Sequence, residues 1–193
     1  MKYRARKFFL LGEQYFKTAE LLLETLINGG NSNAGVGNSY EEAYEIMEKN
    51  VAKSDATLFI PAIFMCLQST ELFVKGLMLL NEIEIDGTHE IQKFLEILKE
   101  LYTESSLLYK EIKKMYYSHQ EILKKYKKDN GITNSHDLYM SLRYPEKNNT
   151  SHDSISYYAL IYNNDEGIGL FRAIKQNLTN IRNSILLEYN RLF

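Results

Sequence analysis

The sequence predicts an all-α fold, a bundle of helices with a long irregular excursion before the last one. Three observations carry this reading. Only Pro61 and Pro145 stand among the 193 residues, so little interrupts a helix once it has started. Near both ends of the chain, apolar residues recur at steps of three and four, the spacing of one helical face. Between them, Leu58 to Leu80 is almost wholly apolar, which suits a helix buried on every side.

The elements follow in order. In the first helix Phe8, Leu11, Tyr15, Ala19, Leu22 and Leu26 share one stripe, and Asn28-Gly29-Gly30 ends it, since glycine takes the left-handed conformation of a C-cap. Residues 29–38 are a connector. They are glycine-rich, but no strand precedes them and no Gly-Lys-Ser/Thr closes them, so they are not a phosphate cradle. Ser39-Tyr40-Glu41-Glu42 is a capping box that opens a short helix to about Lys53. The central helix is expected to begin near Leu58, which places Pro61 in its first turn. Thr88 is the expected N-cap of a helix to about Tyr102. A single helix from about Ser105 to Asp129, closed by Asn130-Gly131, comes next. Residues 132–167 are loop-rich, with Ile155 to Tyr162 either a short strand or a loop over the bundle. A last helix, about Ile168 to Leu192, aligns Phe171, Ile174, Leu178, Ile181 and Ile185. No linker divides the chain, so residues 1–193 read as one domain.

Charge and cysteine content exclude several functions. A net charge of −2 supplies no global field toward nucleic acid or anionic membrane, so any such contact must be local. Cys66 is the sole cysteine. It permits no disulfide or thiolate cluster within the chain, fits a cytoplasmic setting, and reads as a small buried hydrophobe rather than a nucleophile. The basic N-terminus is followed only by Phe8-Phe9-Leu10-Leu11, too short for a signal sequence. Residues 58–80 could span a bilayer by length. Glu71 and Lys75, however, would cost about 2.5–3.5 kcal/mol each at mid-span, so a core helix and no membrane contact are expected.

His89, His119, His136 and His152 form no His-Glu-x-x-His or Glu-x-x-His pattern. The tripeptides Ser135-His136-Asp137 and Ser151-His152-Asp153 sit where helices or turns start, so neither a metal nor another cofactor is expected. The segment from Lys110 to Lys128 holds seven lysines and two glutamates with Tyr116, Tyr117 and Tyr126 interleaved. Lys113, Lys114, Lys124, Lys125, Lys127 and Lys128 are therefore candidates for nucleic-acid phosphates, with tyrosines as stacking platforms. The alternative is a solvated face over packed tyrosines. Lys2, Arg4, Arg6 and Lys7 could extend the basic surface. Glu71 and Lys75, four apart in acid-first order, either line a groove, neutralise a partly buried site or form a surface stripe.

Three stretches together resemble one family. Cys66-Leu67-Gln68-Ser69-Thr70-Glu71-Leu72-Phe73-Val74-Lys75-Gly76-Leu77-Met78-Leu79 looks like the apolar helix of HEPN domains, named for nucleotide-binding domains of higher eukaryotes and prokaryotes. Thr88-His89-Glu90-Ile91 resembles the Thr-His-Asp-Leu that often opens their next helix. Arg143-Tyr144-Pro145-Glu146 is similar to an Arg-Tyr-Pro segment after the later helices. The resemblance implies an antiparallel bundle and a groove holding Glu71, Lys75, Arg143 and Tyr144.

Many HEPN proteins are dimeric, metal-independent ribonucleases. Their signature is Arg, four to six residues, then His on the last helix, where arginine neutralises the phosphate and histidine moves protons. Here Arg182-Asn183-Ser184-Ile185-Leu186-Leu187-Glu188 places a glutamate where that histidine would stand. The resemblance therefore implies an RNA- or nucleotide-binding protein of a microbial defence or toxin–antitoxin system. It would be homodimeric, with a degenerate ribonuclease site at Arg182, Asn183 and Glu188. If the chain is an enzyme, metal-independent RNA cleavage is the expected reaction. The alternative is a non-catalytic module that binds a partner protein or antitoxin through its helix faces. A small ligand beside Glu71 is a third reading.

Overall fold

In a computed structural model of the chain, residues 2–85, 91–117, 121–146 and 154–192 are described. The expected cap and motif at Thr88, His89 and Glu90 lie outside these residues, as do His119 and His152 with its neighbours Ser151 and Asp153. Eight α-helices are assigned among the described residues: α1 (Lys2–Asn28), α2 (Tyr40–Val51), α3 (Asp55–Leu80), α4 (Ile91–Tyr102), α5 (Leu107–Tyr117), α6 (Glu121–Asp129), α7 (Ser135–Ser141) and α8 (Asn164–Leu192).

The central helix organises the rest. α3 is buried without interruption from Ser69 to Leu80, so a helix long and apolar enough to cross a membrane is here a core helix. It begins at Asp55, earlier than expected, which puts Pro61 beyond the first turn. The proline deprives the Thr57 carbonyl of an amide donor, but both residues are exposed and water can take that role.

α1 lies along α3 at close range because glycine and phenylalanine alternate across the contact. A Cβ on Gly12 would meet the Phe73 ring at 2.8 Å, and one on Gly76 would meet the Phe9 ring at 2.8 Å. Ser69 Oγ donates to the Gly12 carbonyl at 2.9 Å. This approach rotates the buried stripe of α1 away from the expected one. Ala5, Gly12, Phe16, Ala19, Leu23 and Leu26 are buried, while Leu11 is 44% exposed and Tyr15 is half-buried. The apolar periodicity missed Gly12, whose value lies in having no side chain.

The capping box of α2 forms with one change. Ser39 Oγ accepts from the Glu42 amide at 3.2 Å, but Glu42 reaches back to the Asn38 amide at 2.7 Å rather than to that of Ser39. The single helix expected over 105–129 is two. Lys127 Nζ donates to the Tyr116 carbonyl at 3.0 Å. In one continuous helix these residues would lie roughly 16 Å apart along the axis, beyond a lysine's reach, so α6 does not continue α5 in line.

The described residues of the excursion hold more regular structure than its composition suggests. Asn134 caps α7 by accepting from the Asp137 amide at 2.8 Å, so Ser135 is the first helical residue and not the cap. Glu146 and Ser154 form an isolated antiparallel bridge, and Tyr158–Leu160 is a 3-10 turn. Residues 155–162 are thus not a strand.

α8 closes the bundle against α5, α3 and α1. It is tied by Asn177 Nδ2 to the Glu111 carbonyl at 2.9 Å and by Lys175 to Glu24 at 2.6 Å. Its start is anchored by Asp55, whose carboxylate accepts from the amides of Tyr162 at 2.8 Å and Asn163 at 2.7 Å. One hydrophobic core runs continuously from Phe16 on α1 to Ile185 on α8.

Candidate functional site

Three polar residues of the central helix sit on one side. Gln68, Glu71 and Lys75, at steps of three and four, project toward α4, α5 and α7. Lys75 Nζ donates to Glu71 Oε1 at 2.7 Å, with both side chains more than nine-tenths buried. This decides among the three sequence alternatives: the pair neutralises a buried site. Lys75 also lies 5.4 Å from the centre of the Phe94 ring, where the aromatic face favours the cation.

Tyr139 of α7 connects this pair to the surface. Its hydroxyl donates to Gln68 Oε1 at 2.6 Å, and burial, reinforced by the Glu71 charge, raises its pKa. Tyr116 donates to the Leu67 carbonyl at 3.0 Å. Burial first, and Glu71 second, push this phenol well above its ordinary value. The exposed Arg143 guanidinium lies 5.3 Å from the Tyr139 ring and 5.2 Å from that of Tyr144. Of the expected groove residues, Glu71 and Lys75 are buried as a pair and Arg143 and Tyr144 are exposed, while Tyr139, which sequence reasoning did not single out, lies between Gln68 and Arg143. No linear signal marks it, because it lies 71 positions from Gln68. Chemically, the ion pair and both phenols lie inside the bundle, bonded to their neighbours. What remains accessible is a cation between two aromatic rings, suited to stacking and anion contact.

The lysine segment divides between surface and interior. Lys113 and Lys114 on α5, and Lys124, Lys125 and Lys128 on α6, are exposed. Lys124 is paired with Glu121 at 2.7 Å. Lys127 instead folds inward onto the end of α5, and burial lowers its pKa from 10.5 to about 8. Of the interleaved tyrosines, Tyr116 and Tyr126 are buried and only Tyr117 is exposed. Tyr126 is in the core with its hydroxyl on Ser141 Oγ at 2.9 Å, and burial raises its pKa to about 12. A second aromatic platform comes from the 3-10 turn: Tyr158 is 71% exposed, with Lys125 Nζ 5.9 Å from its ring centre.

The α8 residues Arg182, Asn183 and Glu188 do not converge among the described residues. Arg182 Nε donates to both carboxylate oxygens of Glu13, at 2.7 and 2.9 Å, and its guanidinium lies 5.1 Å from the Phe16 ring centre. The hydrogen bond from Arg182 to Glu13 raises the arginine's pKa further. Glu188 is held by Arg191 at 2.7 Å, and Asn183 is exposed. No cluster of His, Cys, Asp and Glu able to hold a metal occurs among the described residues. Cys66 is buried, with its thiol pushed up to about 12 by burial, so it is not a nucleophile.

A family model described as the HEPN domain matches residues 39–161. The match takes in α2 to α7 and the 3-10 turn, including the Gln68–Tyr139–Arg143 connection and the lysine face. α1 and α8, with Arg182, Asn183 and Glu188, lie outside it. No curated protein and no solved structure matches the chain.

Proposed function

The chain belongs to the HEPN domain family, whose general province is nucleotide- and RNA-related function, and from that premise we propose that it binds RNA without Arg/His-type cleavage. The observation that carries this reading is the surface of α5 and α6. Exposed Lys113, Lys114, Lys125 and Lys128 stand with the exposed rings of Tyr117 and Tyr158, pairing phosphate contact with base stacking. Arg143 between Tyr139 and Tyr144 is a further stacking cation. The degenerate α8 motif supports the absence of cleavage, since Arg182 and Glu188 are each engaged by another charge. A role in microbial defence or in a toxin–antitoxin pair and pairing of two copies belong to the same proposal and rest on the family resemblance alone, and a cytoplasmic setting rests on the sole cysteine.

The test is single-stranded RNA binding at two salt concentrations. Affinity should fall steeply with salt, by about 0.7 log units per log unit for each phosphate contacted. Charge reversal at Lys124, Lys125 and Lys128 should weaken binding by about tenfold or more and flatten that slope. No binding at low salt would sink the reading and favour a protein-interaction module. Robust metal-free cleavage abolished by Arg182→Ala would overturn the degenerate site.

A further inference from the structure

Between the end of α6, α7 and the segment that follows it, the bundle leaves a hollow of about 690 Å³, within the roughly 300–1,000 Å³ of small-ligand sites. Buried Ile132 and Ile155 and half-buried Met140 give it an apolar interior, and the exposed Tyr144 ring stands beside them. Its walls are bonded to one another. Asn130 holds the backbone of Ser156 from both ends of its amide, at 2.8 Å each. The Ile155 amide donates to the Pro145 carbonyl at 2.7 Å, and the Tyr157 hydroxyl donates to the Ser141 carbonyl at 2.8 Å. The hollow is therefore pre-formed, which lowers the cost of filling it.

Two observations say what enters. The first is the sign of its charge. Asp137 and Glu146 line the hollow, and no lysine or arginine does among the described residues. Neither carboxylate is paired with a cation among those residues. Asp137 Oδ2 accepts from Asn134 Nδ2 at 2.8 Å within the cap of α7. An ionised carboxylate only accepts hydrogen bonds, at about four lone-pair positions, so both keep acceptors to spare. The second observation is position. Gly131 lines the hollow, and its amide donates to the carbonyl of Lys128, one turn earlier, at 3.2 Å. On the Tyr144 side, Arg143 lies 5.2 Å from the ring centre. Cations of the proposed RNA surface thus flank an acid-lined hollow. Such a place repels phosphate and admits the part of an RNA that is neutral, flat and rich in donors.

We infer that this hollow takes one unstacked guanine of a single-stranded RNA lying on α5 and α6, with Asp137 and Glu146 accepting from its Watson–Crick edge. The inference rests on RNA binding at that surface. Among the four bases only guanine turns two adjacent donors, N1–H and the 2-amino group, toward a carboxylate. Adenine and cytosine present one amino group beside an acceptor nitrogen, and uracil one N–H between two carbonyls, so a carboxylate meets repulsion in each. Tyr144 offers the face on which the base stacks.

The experiment compares, at low salt, single-stranded uridine oligomers that carry one central G, A, C or U, bound to the full chain and read by fluorescence anisotropy. The G strand should bind about tenfold or more tighter than the other three. Glu146→Gln, at an exposed position, and Asp137→Asn should each cut that preference severalfold. The double variant should erase it without weakening the U strand. Charge reversal at Lys124, Lys125 and Lys128 should weaken all four strands and leave the G preference unchanged. Equal binding of the four strands, or a preference for A or C, overturns the inference and leaves RNA binding standing. So does a loss in the double variant that all strands share equally. Free guanosine that binds as tightly as the G strand overturns it in favour of a nucleoside site. No binding of any strand sinks the RNA reading, and this inference with it.

Discussion

Asp55→Ala should destabilise this protein more than any single change of surface charge. Its carboxylate is 1% exposed and accepts three hydrogen bonds: from Asn31 Nδ2 at 3.0 Å, the Tyr162 amide at 2.8 Å and the Asn163 amide at 2.7 Å. Its own amide donates to Asn31 Oδ1 at 2.6 Å. One side chain thus joins the segment after α1, the start of α3 and the approach to α8. It also holds Asn31 and Tyr162 at φ +50 and +61, left-handed values that cost a non-glycine residue of order 1 kcal/mol or more each. Hydrogen bonds to a charged acceptor contribute about 1.5–3 kcal/mol apiece. Three that share one carboxylate do not add, and water can reach the amide of Tyr162, whose side chain is 55% exposed. About half the simple sum survives, so the expected loss is about 2–4 kcal/mol for Asp55→Ala. Asp55→Asn keeps one acceptor but turns an NH₂ toward a donor, with about 2 kcal/mol lost. In a chain of this length each kcal/mol moves Tm by roughly 2–4 °C. Urea denaturation of both variants, together with an Asn31→Ala cycle, measures it. A loss below about 1 kcal/mol at unchanged m-value would refute the reasoning.

Three further outcomes follow from buried groups. Lys75→Met should cost about 3–5 kcal/mol by leaving the Glu71 charge buried without its cation. The double variant Glu71→Gln/Lys75→Met should recover most of that loss in urea midpoints, and no recovery would show the pair is not the cause. Because burial depresses Lys127 to about 8 from 10.5, the folded state disfavours its charged form. The cost is fully present below pH 8 and is relieved as pH rises toward the unfolded value, so stability should climb above pH 8 until the tyrosines ionise. Lys127→Met should flatten that rise. Cys66, buried with its thiol pushed up to about 12, should react with a thiol reagent only as fast as the chain opens. Rapid native-state labelling would contradict its placement.

Much of the fold was legible because helices announce themselves locally. The stop at Gly29-Gly30, the Ser39 box and the stripe of α8 depend on residues within a turn or two of one another. The candidate site was legible only in its local members. Glu71 and Lys75 are spaced for pairing on one helix, and the lysines are consecutive enough to notice. Tyr139 and Tyr158, which complete the two surfaces, come from the irregular segment 132–167, where no periodicity marked them.

By itself, then, the sequence determined the all-α class, the central apolar helix, most helix limits and a family resemblance, since periodicity, capping and motif spacing are properties of near neighbours. Tertiary structure decided the rest. It turned α1 so that Gly12 faces Phe73, set α6 out of line with α5 so that Lys127 reaches the Tyr116 carbonyl, and gave Arg182 to Glu13, 169 positions away. The physical reason is common to all three. Which partner a charge finds, and which face a helix buries, is set by close packing between segments distant in the chain, and no local pattern encodes that distance.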